Sequence, residues 1–473
     1  MHESVSLPEH IKGRTLFGHP IGLFVLFLTE MWERFSYYGM RGLLKLYMVN
    51  YLFIGSRQLL QGGSERIAGD PGTVLGWSWI QSLLPLDVQG QASVIYGWYT
   101  GLVYLTPLVG GLIADRYWGQ RKTVVFGGLL MALGHFVMAF ENWFFLALLL
   151  LILGNGAFKP NISTQVGNLY DQDDPRRDGA FTIFYMGINL GAFICNLVCG
   201  TLAAIYGWHY GFAAAGIGMV IGLGVYLWGQ RYLAPDLKMA TATQGKEAAK
   251  SRTAVSKLSS EEWRRIGALL VLCVLNIVFW AVYEQQGNTM QTWADENTIW
   301  PTVFSFAIPS TWFQSFNPLF IFMFAPLLDM FWMAQARRGK EPSSVAKMAI
   351  GCAILGLSFI VMIVAARVVG DGKGSLMWPV VCTLLMTVGE LYLSPVGLSL
   401  VTKVAPARMV SMMMGMWFLS SFFGNILSGY IGALYSSMQK DSFFILLTVL
   451  GLAAGGAIML MARPIARATG HAR

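Results

Sequence analysis

Charge is what this sequence has least of. Asp, Glu, Lys and Arg make up 12% of its 473 residues, against roughly 25% in an ordinary soluble domain. Hydrophobic residues make up 55%, and the mean hydropathy is +0.54. So little charge over so long a chain excludes a water-soluble protein; lipid has to be its solvent. Cysteine is scarce too. Cys195, Cys199, Cys273, Cys352 and Cys382 are odd in number and lie in apolar runs. They read as small packing residues, with neither a disulfide framework nor a metal-ligand spacing among them. The histidines (His2, His10, His19, His135, His209, His471) fall mostly in tails or loops, again without ligand spacing. No nucleophile–base or metal constellation stands out, so the reading is not an enzyme, and no cofactor is expected. The opening "MHESVSLPEHIKGRTLFGHP" is too polar, and too long before the first apolar run, to be expected to act as a cleaved signal peptide.

What is abundant is long apolar runs. A helix needs about 20 mostly apolar residues to cross the hydrocarbon. Twelve such segments are centred near Val25, Tyr99, Leu129, Leu150, Ile188, Ile221, Val274, Phe322, Leu357, Leu385, Phe418 and Leu447. The expected fold is all-α and polytopic. The net charge of +8 does not point to nucleic acid, because of where it sits. Lys and Arg gather in "RYWGQRK" (116–122), at 176–177, within 231–265, in "ARRGK" (336–340) and after Met461, whereas the connections at 141–143, 206–210 and 297–302 have none. Short basic loops stay cytoplasmic, so both termini are expected inside, with some contact to anionic lipid.

One composition break divides the chain. The stretch 234–265 is polar, basic and nearly free of large apolar residues. The expected organisation is a cytoplasmic tail at 1–20, a six-helix bundle at 21–233, a linker at 234–265, a second bundle at 266–462 and a tail at 463–473. "SSEEWRR" at the linker's end is expected to start a short interfacial helix, with Ser259 or Ser260 as its cap. "GGLIADRYWGQRK" (110–122) after the second span and "APLLDMFWMAQARRGK" (325–340) after the eighth form a weak repeat. Two such halves are similar to the major facilitator superfamily, whose substrate site lies between them. The loop at about 55–90, with "GWSWIQSLLPL", is left open as a re-entrant or interfacial piece.

The first span carries the anomaly. "TEMWERFSYYGMR" (29–41) puts Glu30, Glu33, Arg34 and Arg41 between two apolar runs. At 100° per residue, and relative to Glu30, Glu33 lies at about −60°, Arg34 at +40°, Tyr37 at −20°, Tyr38 at +80° and Arg41 at +20°. One face therefore holds all six, with Trp32, Phe35 and Gly39 opposite. Charges at such depth persist by facing partners or a wet cavity. A structural salt-bridge cluster explains Glu33–Arg34 but not the further acid, the distal arginine and two tyrosines. Lys159 in "GNGAFKPNIS", Glu284 in "FWAVYEQQGN" and Glu390 in "VGELYLSPVG" add ionisable groups to other spans. Asn189, Asn317 and Ser421 add polar ones, each of which alone reads as an interhelical hydrogen bond. Positive groups at Arg41 and Lys159 with a negative one at Glu390 suit a zwitterion, and carboxylates that gain and lose partners can couple to protons.

Together these segments resemble the proton-dependent oligopeptide transporters of the major facilitator superfamily. "EMWERFSYYG" is similar to that family's ExxER signature, and "GGLIADRYWGQRKTVV" and "FTIFYMGINLGAF" to its two longer ones. "FKPN", "WFQSFNPLF", "GELYLSPVGLS" and "MWFLSS" are also similar to family segments. The resemblance implies twelve transmembrane helices in two six-helix bundles, without the two extra helices that many bacterial members insert. It implies a proton-coupled symporter importing di- and tripeptides by alternating access. By the same resemblance Glu30, Glu33, Arg34 and Glu284 handle protons, and Arg41 and Lys159 hold the peptide carboxylate. Glu390, Asn189 and Asn317 would hold the amino group. Tyr37, Tyr38 and Tyr99 would line the pocket, Trp280 and Trp417 would shape it, and Ser421 would add a polar contact. Arg41–Glu284 and Lys159–Glu390 would be gating pairs. A monomer in the cell inner membrane is expected, with peptides, protons and lipid as its partners.

The competing reading is a facilitator-type transporter or exporter of another small solute on the same fold, which needs no oppositely charged anchors. A channel is disfavoured, since no repeated selectivity filter is seen. Met-rich "MVSMMMGMWFLSS" (409–421) reads as helix packing.

Overall fold

A computed structural model describes residues 15–54, 58–59, 65–66, 69–171, 174–234, 259–406 and 409–468. Its helices are α1 (Ile21–Tyr47), α2 (Trp77–Leu83), α3 (Val88–Ile113), α4 (Gln120–Val137), α5 (Phe144–Gly167), α6 (Arg177–Tyr206), α7 (Trp208–Gly229), α8 (Ser260–Tyr283), α9 (Thr289–Glu296), α10 (Phe316–Arg337), α11 (Ser344–Val369), α12 (Met377–Val404), α13 (Val410–Ala433) and α14 (Lys440–Ala468). All except α2 and α9 are long, from 18 residues in α4 to 30 in α6, and each expected span centre falls in one of them. The strands are two-residue pairs in loops.

Among the described residues, nine long helices have the length and hydropathy to cross a membrane. Helix α1 is not among them, because every long window along it includes Glu30, Glu33 and Arg34 or the basic residues that follow. Its membrane role rests on hiding that face, not on mean hydropathy.

Local chemistry sets the helix ends. Gly207, with φ of 113°, makes the tight turn from α6 into α7, a conformation that L side chains rarely adopt. Ser259 caps α8 through a reciprocal capping box with Glu262, at 3.1 Å and 2.8 Å. The "SSEEWRR" segment is thus the first turn of the long α8 and not a separate interfacial helix; nothing interrupts the helical hydrogen bonding before Tyr283. The helix therefore begins inside the expected 234–265 linker, and the rest of that linker, 235–258, lies outside the described residues, as do 1–14 and 469–473. In the 55–90 loop, the described portion contains α2, with Trp77 buried and stacked on Phe53 at 4.0 Å between ring centres. Prolines sit inside α3, α5, α10 and α12 (Pro107, Pro160, Pro326, Pro395), the second and fourth long helices of each half, and inside α14 near its end (Pro464). Each removes one backbone donor from its helix.

The chain divides into two compact units: residues 1–40 with 105–257, and 41–104 with 258–473. The boundary therefore runs through α1 and α3 as well as through the polar stretch 234–265, at 257–258. In the first unit α4 packs on α5 and α7, and α6 on α7. Helix α1 lies against α6 and α7: Gly218 meets Phe35 and Gly222 meets Trp32 on the face opposite its charges, and Gly187 meets Phe27 one turn before them. A methyl on Gly191 would strike the Met31 carbonyl. Small residues set the approach because lipid supplies no hydrophobic drive between helices, leaving close packing to do it. In the second unit α11 packs on α12 and α14, and α8 on α13 and α14, around Phe279, Trp293, Phe359 and Phe444.

Candidate functional site

The first unit holds a buried charge cluster. Glu30, Glu33 and Arg34 are 2%, 0% and 3% exposed. Arg34 Nε lies 2.9 Å from Glu30 Oε1 and 2.5 Å from Glu33 Oε2. Asn155 of α5 donates to Glu33 Oε1 at 3.0 Å. The Arg34 guanidinium sits 5.5 Å from the Tyr37 ring centre, and Tyr37 meets Tyr38 edge-on. With both acids ionised the three side chains sum to −1, so one proton makes the cluster neutral. Glu30 Oε2 and Arg34 Nη2 find no hydrogen-bond partner among the described residues. Lys159 stands one turn beyond Asn155 on α5 and is half-buried. Asn189 is buried on α6 and donates to the Tyr185 carbonyl of its own helix at 3.0 Å.

The second unit brings together the other charges. Arg41 forms an ion pair with Glu284, and its Nε donates to Tyr96 of α3 at 2.8 Å. Next in sequence to Glu284, Tyr283 donates its hydroxyl to Glu390 Oε2 at 2.5 Å. Asn317 Nδ2 reaches the same carboxylate at 3.1 Å, Tyr283 Oη at 2.9 Å and Thr387 Oγ1 at 3.0 Å. The end of α8 thus ties two acidic sites together through consecutive residues: Glu284 faces a guanidinium, and Tyr283 faces a carboxylate. Trp280 packs edge-on against Tyr283 at 5.5 Å. Trp417 is buried where Gly397 leaves room for its ring. Tyr99 is buried on α3, and Ser421 on α13. It is the neighbouring Ser420 that bonds Asn276 of α8, at 2.6 Å.

Sequence reasoning missed Asn155, Tyr96, Tyr283 and Thr387. Asn155 and Tyr283 lie in the very stretches that drew notice for Lys159 and Glu284, flanking the charge they serve. Tyr96 and Thr387 carried no signal in the sequence.

The match to known proteins extends over this whole arrangement. The POT family model matches residues 121–235 and 232–447. The peptide transporter YePEPT of Yersinia enterocolitica is 35% identical, over 91% of this chain and 90% of its own. This chain belongs to the POT family. The di-/tripeptide transporter of Lactococcus lactis subsp. cremoris is 33% identical, over 97% of this chain and 98% of its own. The uncharacterised transporter YclF of Bacillus subtilis is 34% identical, over 98% of each. Among solved structures, a peptide transporter POT in complex with sulfate aligns with a TM-score of 0.82 at 32% identity, covering 98% of this chain and all of that one (100%). A mutant peptide transporter POT in complex with alafosfalin gives 0.81 at 33%, with the same coverage of 98% and 100%. The fold of this POT family member is therefore that of the major facilitator superfamily, with twelve transmembrane helices in two six-helix bundles.

Proposed function

We propose that this protein is a proton-coupled symporter importing di- and tripeptides by alternating access. The observation that carries the reading is the junction at Tyr283 and Glu284. Consecutive residues there link a carboxylate suited to a peptide amino group, Glu390, with an ion pair that a proton can break, Arg41–Glu284. In this scheme a peptide ammonium takes over the acceptor oxygen of Glu390 from Tyr283 and Asn317. A proton on Glu284 releases Arg41, whose guanidinium then has a carboxylate of the peptide to bind. The Glu30–Glu33–Arg34 cluster takes a second role, since a proton there removes its net charge from a buried site where charge is costly. Lys159 is a further cation for peptide carboxylates, and Asn189 becomes available to substrate when it leaves Tyr185. Tyr37, Tyr38, Tyr99, Trp280, Trp417 and Ser421 shape the route. That relatives in Yersinia enterocolitica and Lactococcus lactis are peptide and di-/tripeptide transporters favours this substrate class over other solutes.

The same reading places the protein in the cell inner membrane as a monomer, with both termini cytoplasmic on the strength of the basic loops. Only protons are used as coupling ion. The test is dipeptide uptake into liposomes with Glu33→Gln. Loss of proton-driven uptake with retained counterflow supports coupling at this cluster. Loss of both makes Glu33 a structural residue.

A further inference from the structure

One turn beyond Arg41, Lys45 lies on the same polar face of α1 and is 0% exposed. Its ammonium donates to the Gln89 carbonyl at 3.0 Å and to Ser93 Oγ at 2.8 Å, both on α3. Ser93 in turn donates to Asn288 Oδ1 at 2.9 Å, one turn beyond Glu284. Asn288 is itself fully buried, and any side chain at Gly432 would strike it. A third layer follows, where Asn50 donates to Asp295 at 2.7 Å. The whole ladder belongs to the second unit, and it joins 41–104, from the first sequence half, to 284–295, from the second. If the two sequence halves rock during transport, the contacts that part are Arg41–Glu284, Ser93–Asn288 and Asn50–Asp295, while Lys45 keeps its bonds to Gln89 and Ser93 within 41–104.

The rungs differ in electrostatic sign. Arg41 faces a carboxylate in direct contact, whereas Lys45 bonds a carbonyl and a hydroxyl and has only the more distant Glu296 and Asp87 carboxylates to attract it. A buried ammonium held by a neutral carbonyl and a hydroxyl recovers only part of its lost hydration. Water would return the remainder once this end opened.

We infer that Lys45 is a positioning residue that opposes closure, a counterweight to the Arg41–Glu284 pair, so that breaking the pair is enough to part the ladder. The inference rests on the alternating-access reading above. It differs from a simple latch in sign. Replacing Lys45 by an uncharged residue removes the desolvation cost and favours the closed ladder, whereas removing the Ser93 hydroxyl leaves the ammonium less satisfied and favours opening.

The experiment uses the full chain in liposomes, with spin labels at Ser82 and Phe304, both exposed, and pulsed electron resonance to read their separation. Lys45→Met is expected to lower the open-to-closed ratio by about tenfold, which is about 1.4 kcal/mol, and to slow proton-driven dipeptide uptake. Ser93→Ala is expected to raise the ratio. Lys45→Gln, which keeps a donor without the charge, repeats the Met test should that variant fail to fold. A rise in the ratio for either Lys45 variant, or no shift in either direction, overturns the inference. Glu284→Gln serves as the control: if it fails to open the ladder, the gate in the proposed function is wrong, while the opposite signs at Lys45 and Ser93 are still read independently.

Discussion

Replacing Glu390 by Gln removes one charge and almost no volume. Tyr283 can still donate to the amide oxygen, and Asn317 keeps its contacts to Tyr283 and Thr387 at 2.9 Å and 3.0 Å, so the local packing stands. What goes is the charge-assisted bond to a peptide ammonium. Hydrogen bonds to charged groups are worth about 1.5–3 kcal/mol, so affinity for a dipeptide with a free amino group should fall roughly 10- to 100-fold. An N-acetylated dipeptide has no ammonium to lose and should bind the variant about as it binds the parent. Counterflow of a labelled dipeptide in liposomes, competed with dialanine and with N-acetyl-dialanine, measures both. Equal losses for the two competitors would mean that Glu390 supports structure alone, and no loss for dialanine would place the amino group elsewhere. Either result refutes the assignment.

Three further outcomes follow from single contacts. Asn155→Ala strips Glu33 Oε1 of its partner at 3.0 Å and should destabilise the protein by about 1–3 kcal/mol, read from reversible unfolding in mixed detergent; an unchanged midpoint would mean that water replaces the amide. Gly191→Ala drives a methyl into the Met31 carbonyl and should cost about 1–3 kcal/mol by overpacking, with lower yield of folded protein, whereas Gly224→Ala, which meets nothing nearby, should not. In the loop before α6, hydrogen bonds from Arg176 hold the Asp174 carboxyl down at about 2. A lowered carboxyl contributes above its ordinary value and is lost only as pH falls through about 2, so Asp174→Asn should leave the pH profile of uptake between 5 and 8 unchanged.

How legible the site was depended on the range of the interaction. The one-face reading of α1 needed only the helical repeat, and the packing of Trp32 and Phe35 against Gly222 and Gly218 agrees with it. The capping box at Ser259 and Glu262 is also local, though its helix proved to be α8 itself. Partners from distant segments were another matter. Nothing in "GNGAFKPNIS" ranks Asn155 above its neighbours until α5 is laid beside α1, and nothing distinguishes Ser420 from Ser421 until α13 is set against α8.

By itself, then, the sequence determined twelve long helices, their apolar faces, and the facts that charges were placed where lipid would punish them and that α1 gathers six polar groups on one side. Those follow from hydropathy and periodicity, which neighbouring residues decide. Only the tertiary structure decided that Glu33 answers to Asn155, that Tyr283 and Glu284 face a carboxylate and a guanidinium from consecutive positions, and that the compact units divide within α1 and α3. The physical reason is that hydrogen bonds and ion pairs depend on ångström distances between helices, and no repeat along one helix encodes which face of another will meet it.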